Sequence, residues 1–494
     1  MREIELKFQV PLARRAALEA AVAGRAATAR TRLQAAYFDT AARALAMAGL
    51  ALRLRREGRQ WVQTLKGATA EAMTRFEHNV PRGGAVAMPP VDAGLHAGTP
   101  AGEALRVLLA RDGVGTLAIV YRTDVLRRAR ALRTPHGRVE LAFDAGSIRA
   151  GNAKLDVREL EIELVAGSSL AVLDTARRWV PRFGLWLDVR GKAERGDLLA
   201  RGEAMAPPRL ALPVALDATM SAAQAWRAVL RSCADQVVAN ASQVASGEHA
   251  DEHVHQLRVG LRRLRSALAL FEGVAEAVAL GEAAAALFRR LGTARDAAVL
   301  DAEFAAELAA AMRSAGIADD TPMAPASNET VSSAGVLREA GSQVLMLDLL
   351  AAVHAADDVP GHGDGLHKHL AMRLKRWHRQ LVADAKRFAD LDDAARHRLR
   401  KRAKRLRYAT EFCAGLFERR AVRRYLRALR GVQERLGALS DVAMAMGAYA
   451  GRREIEPRAM FALGWLAARR EVLIAGAAPD LKALIKAPRF FERD

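Results

Sequence analysis

The sequence predicts an α+β chain in two parts. Residues 1–200 read as a mainly antiparallel β domain with flanking helices, 201–217 as a linker, and 218–494 as an all-α domain with an internal duplication. Three observations predict this. The first part carries short segments in which polar and apolar residues alternate, with turn residues between them. The proline-rich stretch "EAMAPPRLALPVALD" then breaks all periodicity. Beyond it the pattern is helical almost throughout, and one motif occurs twice. A chain of 494 residues is too long for one ordinary core. Scarce aromatic residues (5%) and abundant alanine favour helix packing of small side chains.

The strand segments in order are "REIELKF", "AYFDT", "LALRLRR", "QWVQTLKG", "TRFEHNV", "AIVYRTDVLRRAR", "RVELAFDAGSI" and "LDVRELEIELVAG". One helix fits "PLARRAALEAAVAG", with Pro11 at its start and Gly24 past its end. Another fits "SSLAVLDTARRWVPRFG".

The net charge of +20 and pI near 10.7 point to a polyanionic partner: nucleotide, nucleic acid, polyphosphate or an acidic membrane surface. Cys233 and Cys413 are the only cysteines, too few and too far apart for a disulfide framework or a cysteine zinc site. The N-terminus lacks a secretory pattern, and no run of about 18 uncharged apolar residues exists to span a membrane. A cytoplasmic compartment is expected, with polyphosphate granules the place a polyphosphate partner would imply.

The strands carry their charges in rows. In the opening segment Glu3, Glu5 and Lys7 share a face opposite Ile4, Leu6 and Phe8. Arg53 and Arg55 share a face, as do Glu140 and Asp144, and Glu159, Glu161 and Glu163. Solvated faces usually mix Ser, Thr, Lys and Glu, whereas these rows are acidic or basic with little filler. If the strands close into a barrel, the charged faces meet inside. Such a polar tunnel suits a linear triphosphate, with Arg and Lys on its oxygens and carboxylates holding Mg²⁺ or Mn²⁺ against them.

The segment "EIELK" resembles the E-x-E-x-K signature of the CYTH domain, in the triphosphate tunnel metalloenzyme superfamily. "LRLR", "TLK", "RFE", "VELAFD", "ELEIEL" and "GKAERG" follow in the family's order, so the resemblance covers roughly residues 1–200. It implies an eight-stranded antiparallel tunnel that hydrolyses or cyclises triphosphates with a divalent metal, Mg²⁺ or Mn²⁺. Carried over residue by residue, it implies that Glu3, Glu5, Lys7 and Lys66 form the catalytic set. Arg53, Arg55, Arg122, Lys192 and Arg195 would bind substrate, together with Lys7 and Lys66. Glu3, Glu5, Asp144, Glu161 and Glu163 would hold metal, and Glu77 and Glu140 would stand nearby. A tyrosine often follows "RG" in the family, and Asp197 stands there instead.

In the helical part "HQLRVGLRRLR" begins at His255 and "HRLRKRAKRLR" at His397, with histidine and basic residues at matching offsets. "LGTARD" ends at Asp296 and "LGALSD" at Asp441, and "SAGIADDTPMAPASNETVSSAG" reads as a connector between the copies. At about 100° per residue, His255, Arg258, Arg262 and Arg265 form one stripe opposite Leu257, Leu261, Leu264 and Leu268. His397, Arg400, Lys404 and Arg407 repeat the stripe opposite Leu399, Ala403 and Leu406, with Arg263 and Arg405 flanking. Acidic i,i+4 partners are nearly absent, so a polyanion-binding surface is expected over a solvated face. This half resembles the CHAD domain over roughly residues 218–494, which implies long-chain polyphosphate binding by these ten residues. Metal ligation by "HADEHVH" or "HKH" is disfavoured.

Together these features lead to a metal-dependent hydrolase of inorganic triphosphate with a polyphosphate-binding module. An adenylate cyclase or an organic triphosphatase acting on thiamine triphosphate or a nucleotide stays open on the same fold. The rival class is a non-catalytic binder of polyphosphate or nucleic acid. Carboxylates facing a polyanion weigh against an idle tunnel. The lack of interleaved aromatics weighs against nucleic acid, and no membrane partner is expected.

Overall fold

The computed structural model describes residues 2–24, 28, 30–68, 73–111, 116–273, 278–292, 304, 306–317, 332–355, 365–450 and 458–492. Asp296 and most of the expected connector at 314–335 lie outside them. The first part holds β1 (Arg2–Gln9), α1 (Arg15–Ala23), β2 (Arg30–Asp39), α2 (Ala44–Met47), β3 (Leu50–Glu57), β4 (Gln60–Ala68), β5 (Thr74–Pro81) and α3 (Pro100–Leu109). It continues with β6 (Ala118–Thr134), β7 (Gly137–Ala150), β8 (Ala153–Gly167), α4 (Ser169–Phe183), β9 (Trp186–Leu187) and α5 (Lys192–Arg201). The expected first helix is shortened by a 3₁₀ turn at Leu12–Arg14, and Gly24 ends it at φ 64°.

The strands pair in the order β5-β4-β3-β2-β6-β7-β8-β1-β9, and β1 also pairs with β5. The pairing therefore closes on itself through eight strands. β9 is a ninth, against the eight expected, and its two residues are too short to show a period in the sequence. Opposite the edge paired to β8, Arg2–Ile4 of β1 pair with β5 and Phe8–Gln9 pair with β9.

Helices cover the outer apolar side of several strands of the ring. Leu6, Phe8, Leu160 and Ile162 are buried beneath α4, and Leu50, Leu52 and Leu65 cluster with Ala101, Leu105 and Leu108 of α3. The opposite side faces inward and divides in two. One portion carries the charged rows. The other is apolar: Leu33, Ala35, Tyr37, Tyr121, Val125, Ile148 and Val157 form one cluster, and Ala193, Leu199 and Ala200 of α5 pack on it. Helix α5 thus packs on the apolar portion of the inward side.

The second part is helical: α6 (Ala222–Ser246), α7 (Asp251–Leu270), α8 (Val278–Arg290), α9 (Ser333–Arg338) and α10 (Ala340–His354). After these come α11 (Leu366–Lys386), α12 (Asp393–Phe412), α13 (Arg419–Ala450), α14 (Arg458–Ala475) and α15 (Ala478–Ile485). The two motif copies occupy helices of equal length, 20 residues each, and in both the histidine is the fifth residue. Leu257, Leu261 and Leu264 of α7 are buried, as are Leu399, Ala403 and Leu406 of α12. No described helix is long and apolar enough to cross a membrane.

The chain forms two compact units that do not follow the boundaries read from sequence. The first comprises Met1–Leu210, Ala234–Leu257 and Ala334–Ala355; the second comprises Ala211–Cys233, Arg258–Ser333 and Ala356–Asp494. Stretches of α6 and α7, and α10 entirely, therefore belong with the β domain.

Gly196 of α5 lies against Tyr121, and a Cβ there would stand 2.3 Å from the tyrosine ring. Gly196→Ala must displace the ring or the helix. It should lower stability by about 1–3 kcal/mol, read as a fall in the thermal midpoint; an unchanged midpoint would mean that α5 does not seat on this ring.

Candidate functional site

The alternation of the strands brings the charged rows together. From β1, Glu3, Glu5, Lys7 and Gln9 point inward, beside Glu159, Glu161 and Glu163 of β8. From β7, Glu140 and Asp144 stand opposite Glu163 and Glu159. Across the ring are Arg53 and Arg55 of β3, Lys66 of β4 and Glu77 of β5. From α5, Lys192 and Arg195 reach the acidic row.

These charges form two groups with different balance. In the first, Lys192 lies 2.8 Å from Asp144, 2.8 Å from Glu161 and in contact with Glu159. Arg127 makes a two-pronged pair with Asp144, 2.7 Å on each prong, and also pairs with Glu161. Arg195 pairs with Glu159. Asp144, Glu159 and Glu161 offer oxygens within 4.8 Å of one another, the spacing of a cation site. The Lys192 ammonium already stands among them. Burial alone would raise Asp144 and Glu161, but Lys192 and Arg127 outweigh it and hold both below the usual carboxylate range.

In the second group negative charge is in excess. Burial pushes Glu3 up to about 7; Lys66, 3.9 Å away, pulls it back, and Glu77 and Glu163 push it further. Burial also raises Glu163, with Glu5, Glu161 and Glu140 adding to the effect. Glu5 is paired with Lys7. Glu77 behaves oppositely: burial would raise it, but Lys66 and then Arg53 hold it down to about 2. Arg53 lies 3.6 Å from Glu77 and donates to the Tyr37 hydroxyl at 3.2 Å. Arg55 is turned to Glu57 of its own strand.

One expected residue is not here. Arg122 is exposed on the outer side of β6, because the inward parity of that strand runs Tyr121, Thr123, Val125, Arg127. The inward cation of β6 is Arg127, which the sequence reading missed. Counting by twos back from the strand's basic end would have found it. Glu159 was seen in the acidic row but not assigned to the site, yet it is fully buried and holds both Lys192 and Arg195. Tyr37 and Tyr121 also point inward, stacked with ring centroids 4.6 Å apart. Asp197, in the place where the family often has tyrosine, pairs with Arg43 and with Arg201 at 3.0 Å.

In the helical part the basic stripes are only partly free. Arg258 and Arg262 stack over Phe288 at 4.9 and 5.5 Å. Arg263, expected on the surface, is instead buried over Phe412 and donates to the Ser232 hydroxyl at 3.0 Å. Arg405 lies over Trp377 at 4.3 Å, and Arg407 is 3.7 Å from Glu411. Arg265 and His397 are exposed, while His255, Arg400 and Lys404 are half-buried. Burial pushes Lys404 down to about 7; Arg400, Arg262 and Arg407 add to this and Asp441 opposes it. Arg262 of the first copy thus acts on Lys404 of the second. His397, though its ring is exposed, is lowered by partial desolvation and then by Lys401, Arg400 and Lys404. Buried His253 of "HADEHVH" is 2.8 Å from the Ala206 carbonyl, and no described metal-like cluster includes a histidine.

A CYTH domain model matches residues 1–183, and a CHAD domain model matches residues 228–450. The chain is 31% identical to the CHAD domain from the plant Ricinus communis, over 57% of this chain and 99% of that one, with a TM-score of 0.46. It is 27% identical over 168 residues to an inorganic triphosphatase of Haemophilus influenzae, 33% of this chain and 44% of that protein, so it spans less than half of that relative's length. A protein from Hippeastrum, described as having a dominant triphosphatase activity, is 17% identical over 42% of this chain and 98% of its own, with a TM-score of 0.29. The chain is a CYTH domain followed by a CHAD domain.

Proposed function

We propose that the β domain hydrolyses inorganic triphosphate to pyrophosphate and phosphate with Mg²⁺ or Mn²⁺, and that the helical domain binds long-chain polyphosphate. The ring would act as a tunnel entered from the end opposite α5. The observation that carries the reading is the two carboxylates Glu3 and Glu163, both raised by burial and by neighbouring carboxylates, beside Glu5 and the cations Arg53 and Lys66. Carboxylates raised by burial and by each other fit a hard divalent cation that takes oxygen ligands. Asp144 and Glu161, expected among the ligands, fit it less well, because Lys192 and Arg127 already neutralise them.

A bound divalent ion would offset charge on the phosphate oxygens during bridge cleavage. The chain's own part is orientation. Arg53 and Lys66, held by Glu77, would grip one stretch of the anion, and Lys7 and Lys192 another, keeping the P–O–P bridge in line for attack by water. Inorganic substrate is favoured because the inward aromatics Tyr37 and Tyr121 are buried against each other and Gly196, and offer no face for a base.

The direct test is phosphate release from triphosphate, ATP and thiamine triphosphate, each with Mg²⁺ and with Mn²⁺. Triphosphate should be the best substrate, with no turnover after metal removal. Glu5→Gln should cut the rate on the order of a hundredfold or more, and near-normal turnover by this variant would take Glu5 out of the mechanism. Arg53→Ala and Lys66→Ala should weaken triphosphate more than pyrophosphate, since the longer anion spans more of the basic rows; equal losses would indicate one shared subsite.

Polyphosphate binding should weaken steeply with salt, because each neutralised phosphate releases counterions. Replacing Arg258, Arg262, Arg400 and Lys404 together by Ala should abolish most of it. Its pH dependence identifies the group involved. Lys404, held near 7 in the free protein, would regain its proton beside a polyanion, so binding takes up a proton. Affinity should therefore rise as pH falls from 9 to about 7 and level off below. A rise confined to the interval between pH 7 and 5 would assign the effect to histidine instead.

A further inference from the structure

The two-residue strand β9 has one edge on β1, where the Asp188 N–H donates to the Lys7 carbonyl at 2.9 Å. Its other edge is met by side chains distant in sequence. The Leu187 N–H donates to the Gln343 Oε1 at 2.7 Å, and Gln343 Nε2 donates to the Leu337 carbonyl at 2.7 Å. The Ser242 hydroxyl donates to the Leu187 carbonyl at 3.2 Å and accepts from the Val189 N–H at 3.2 Å. Ser242 is 1% exposed, Gln343 2% and Leu187 2%, so water cannot replace these bonds.

Immediately after β9 the chain turns toward the acidic row and its cations. Asp188 accepts from Gln9 at 3.2 Å and from both prongs of Arg190 at 2.8 and 2.9 Å. Gln9 also donates to Glu159, which holds Lys192 and Arg195. The Ser242 hydroxyl bridges the residues on either side of Asp188, and Lys192 opens α5 only three positions after Val189. The direction in which α5 presents Lys192 and Arg195 is thus set where Ser242 and Gln343 grip the chain. Both residues lie within the stretch matched by the CHAD model, whereas Lys192 and Arg195 lie in neither matched stretch.

We infer that Ser242 and Gln343 are positioning residues for triphosphate: side chains of the helical half that hold β9 and thereby aim Lys7, Lys192 and Arg195 at the anion. This rests on the triphosphatase reading. The CYTH stretch of this chain is then not self-sufficient, and its phosphate clamp is finished by residues that follow it by more than fifty positions.

The test uses the full chain with Gln343→Met, which removes both of its bonds, Ser242→Ala, which removes one hydroxyl, and Gln343→Glu, which keeps the acceptor for Leu187. Triphosphate hydrolysis with Mg²⁺ or Mn²⁺ should show a KM raised about tenfold in Gln343→Met and several-fold in Ser242→Ala, with kcat changed less than twofold. Gln343→Glu should recover most of the loss, and polyphosphate binding should be unchanged in all three. Should Gln343→Met fail to fold, Ser242→Ala gives the same reading alone. Wild-type KM in the folded variants would overturn the inference, as would kcat and KM falling with thermal stability and without rescue. If the wild type binds triphosphate but does not cleave it, the enzymatic reading fails by itself. The variants' Kd for triphosphate then decides the positioning role by the same tenfold criterion.

Discussion

A charge inside a closed sheet must find a counter-charge, and the β domain is organised by that requirement. Its inward rows cannot be solvated as the faces of an open sheet are, so each carboxylate is committed to a cation or left in excess. The Asp144, Glu159 and Glu161 group is committed: Lys192, Arg127 and Arg195 meet it. The Glu3 and Glu163 group is less fully met: Lys66 lies 3.9 Å from Glu3, yet burial still raises both carboxylates. The same sequence pattern, an acidic residue at every second position, therefore yields carboxylates neutralised by cations at one level of the ring and carboxylates raised by burial at another. Which is which depends on where α5 delivers its lysine.

The ring and its charged rows were legible because period 2 survives in the strands that carry the charged rows and because charge is conspicuous on a face that normally is not charged. The failures have local causes. Near Tyr121 the inward face stops being charged, since α5 packs there, so the expectation of an inward cation fell on the neighbouring Arg122 instead of Arg127. Two residues of β9 carry no period at all. Helix α5 was hidden because "GKAERG" reads first as a motif of charges and only second as the first turn of a helix. The committed state of Asp144 and Glu161 is a three-dimensional fact that no spacing reports.

In the helical half the duplicated stripe and its apolar backing were readable from offsets alone, and the buried leucines of α7 and α12 follow them. What offsets do not report is the rotation of individual arginines. Arg263 and Arg405 use their planar groups against Phe412 and Trp377, a role open to arginine through its weak hydration and flat shape. The stripe that remains is narrower and more crowded with like charge than the sequence implies. Burial, with that crowding, pushes the Lys404 ammonium down.

The divided edge of β1 has a consequence for how the chain reaches this state. Strand β1 must wait for partners that all follow it in the chain: β5 at residues 74–81, β8 at 153–167, β9 at 186–187, and the grip on β9 from Gln343. Contacts so remote in sequence close slowly. At a synthesis rate of roughly 5–20 residues per second, the strand stays unsatisfied for many seconds after it emerges. Its alternating charges then have a second use. A nascent edge that reads Glu, Glu, Lys along one face is a poor template for pairing with another copy, so the charged row also guards the chain while its partners are still missing.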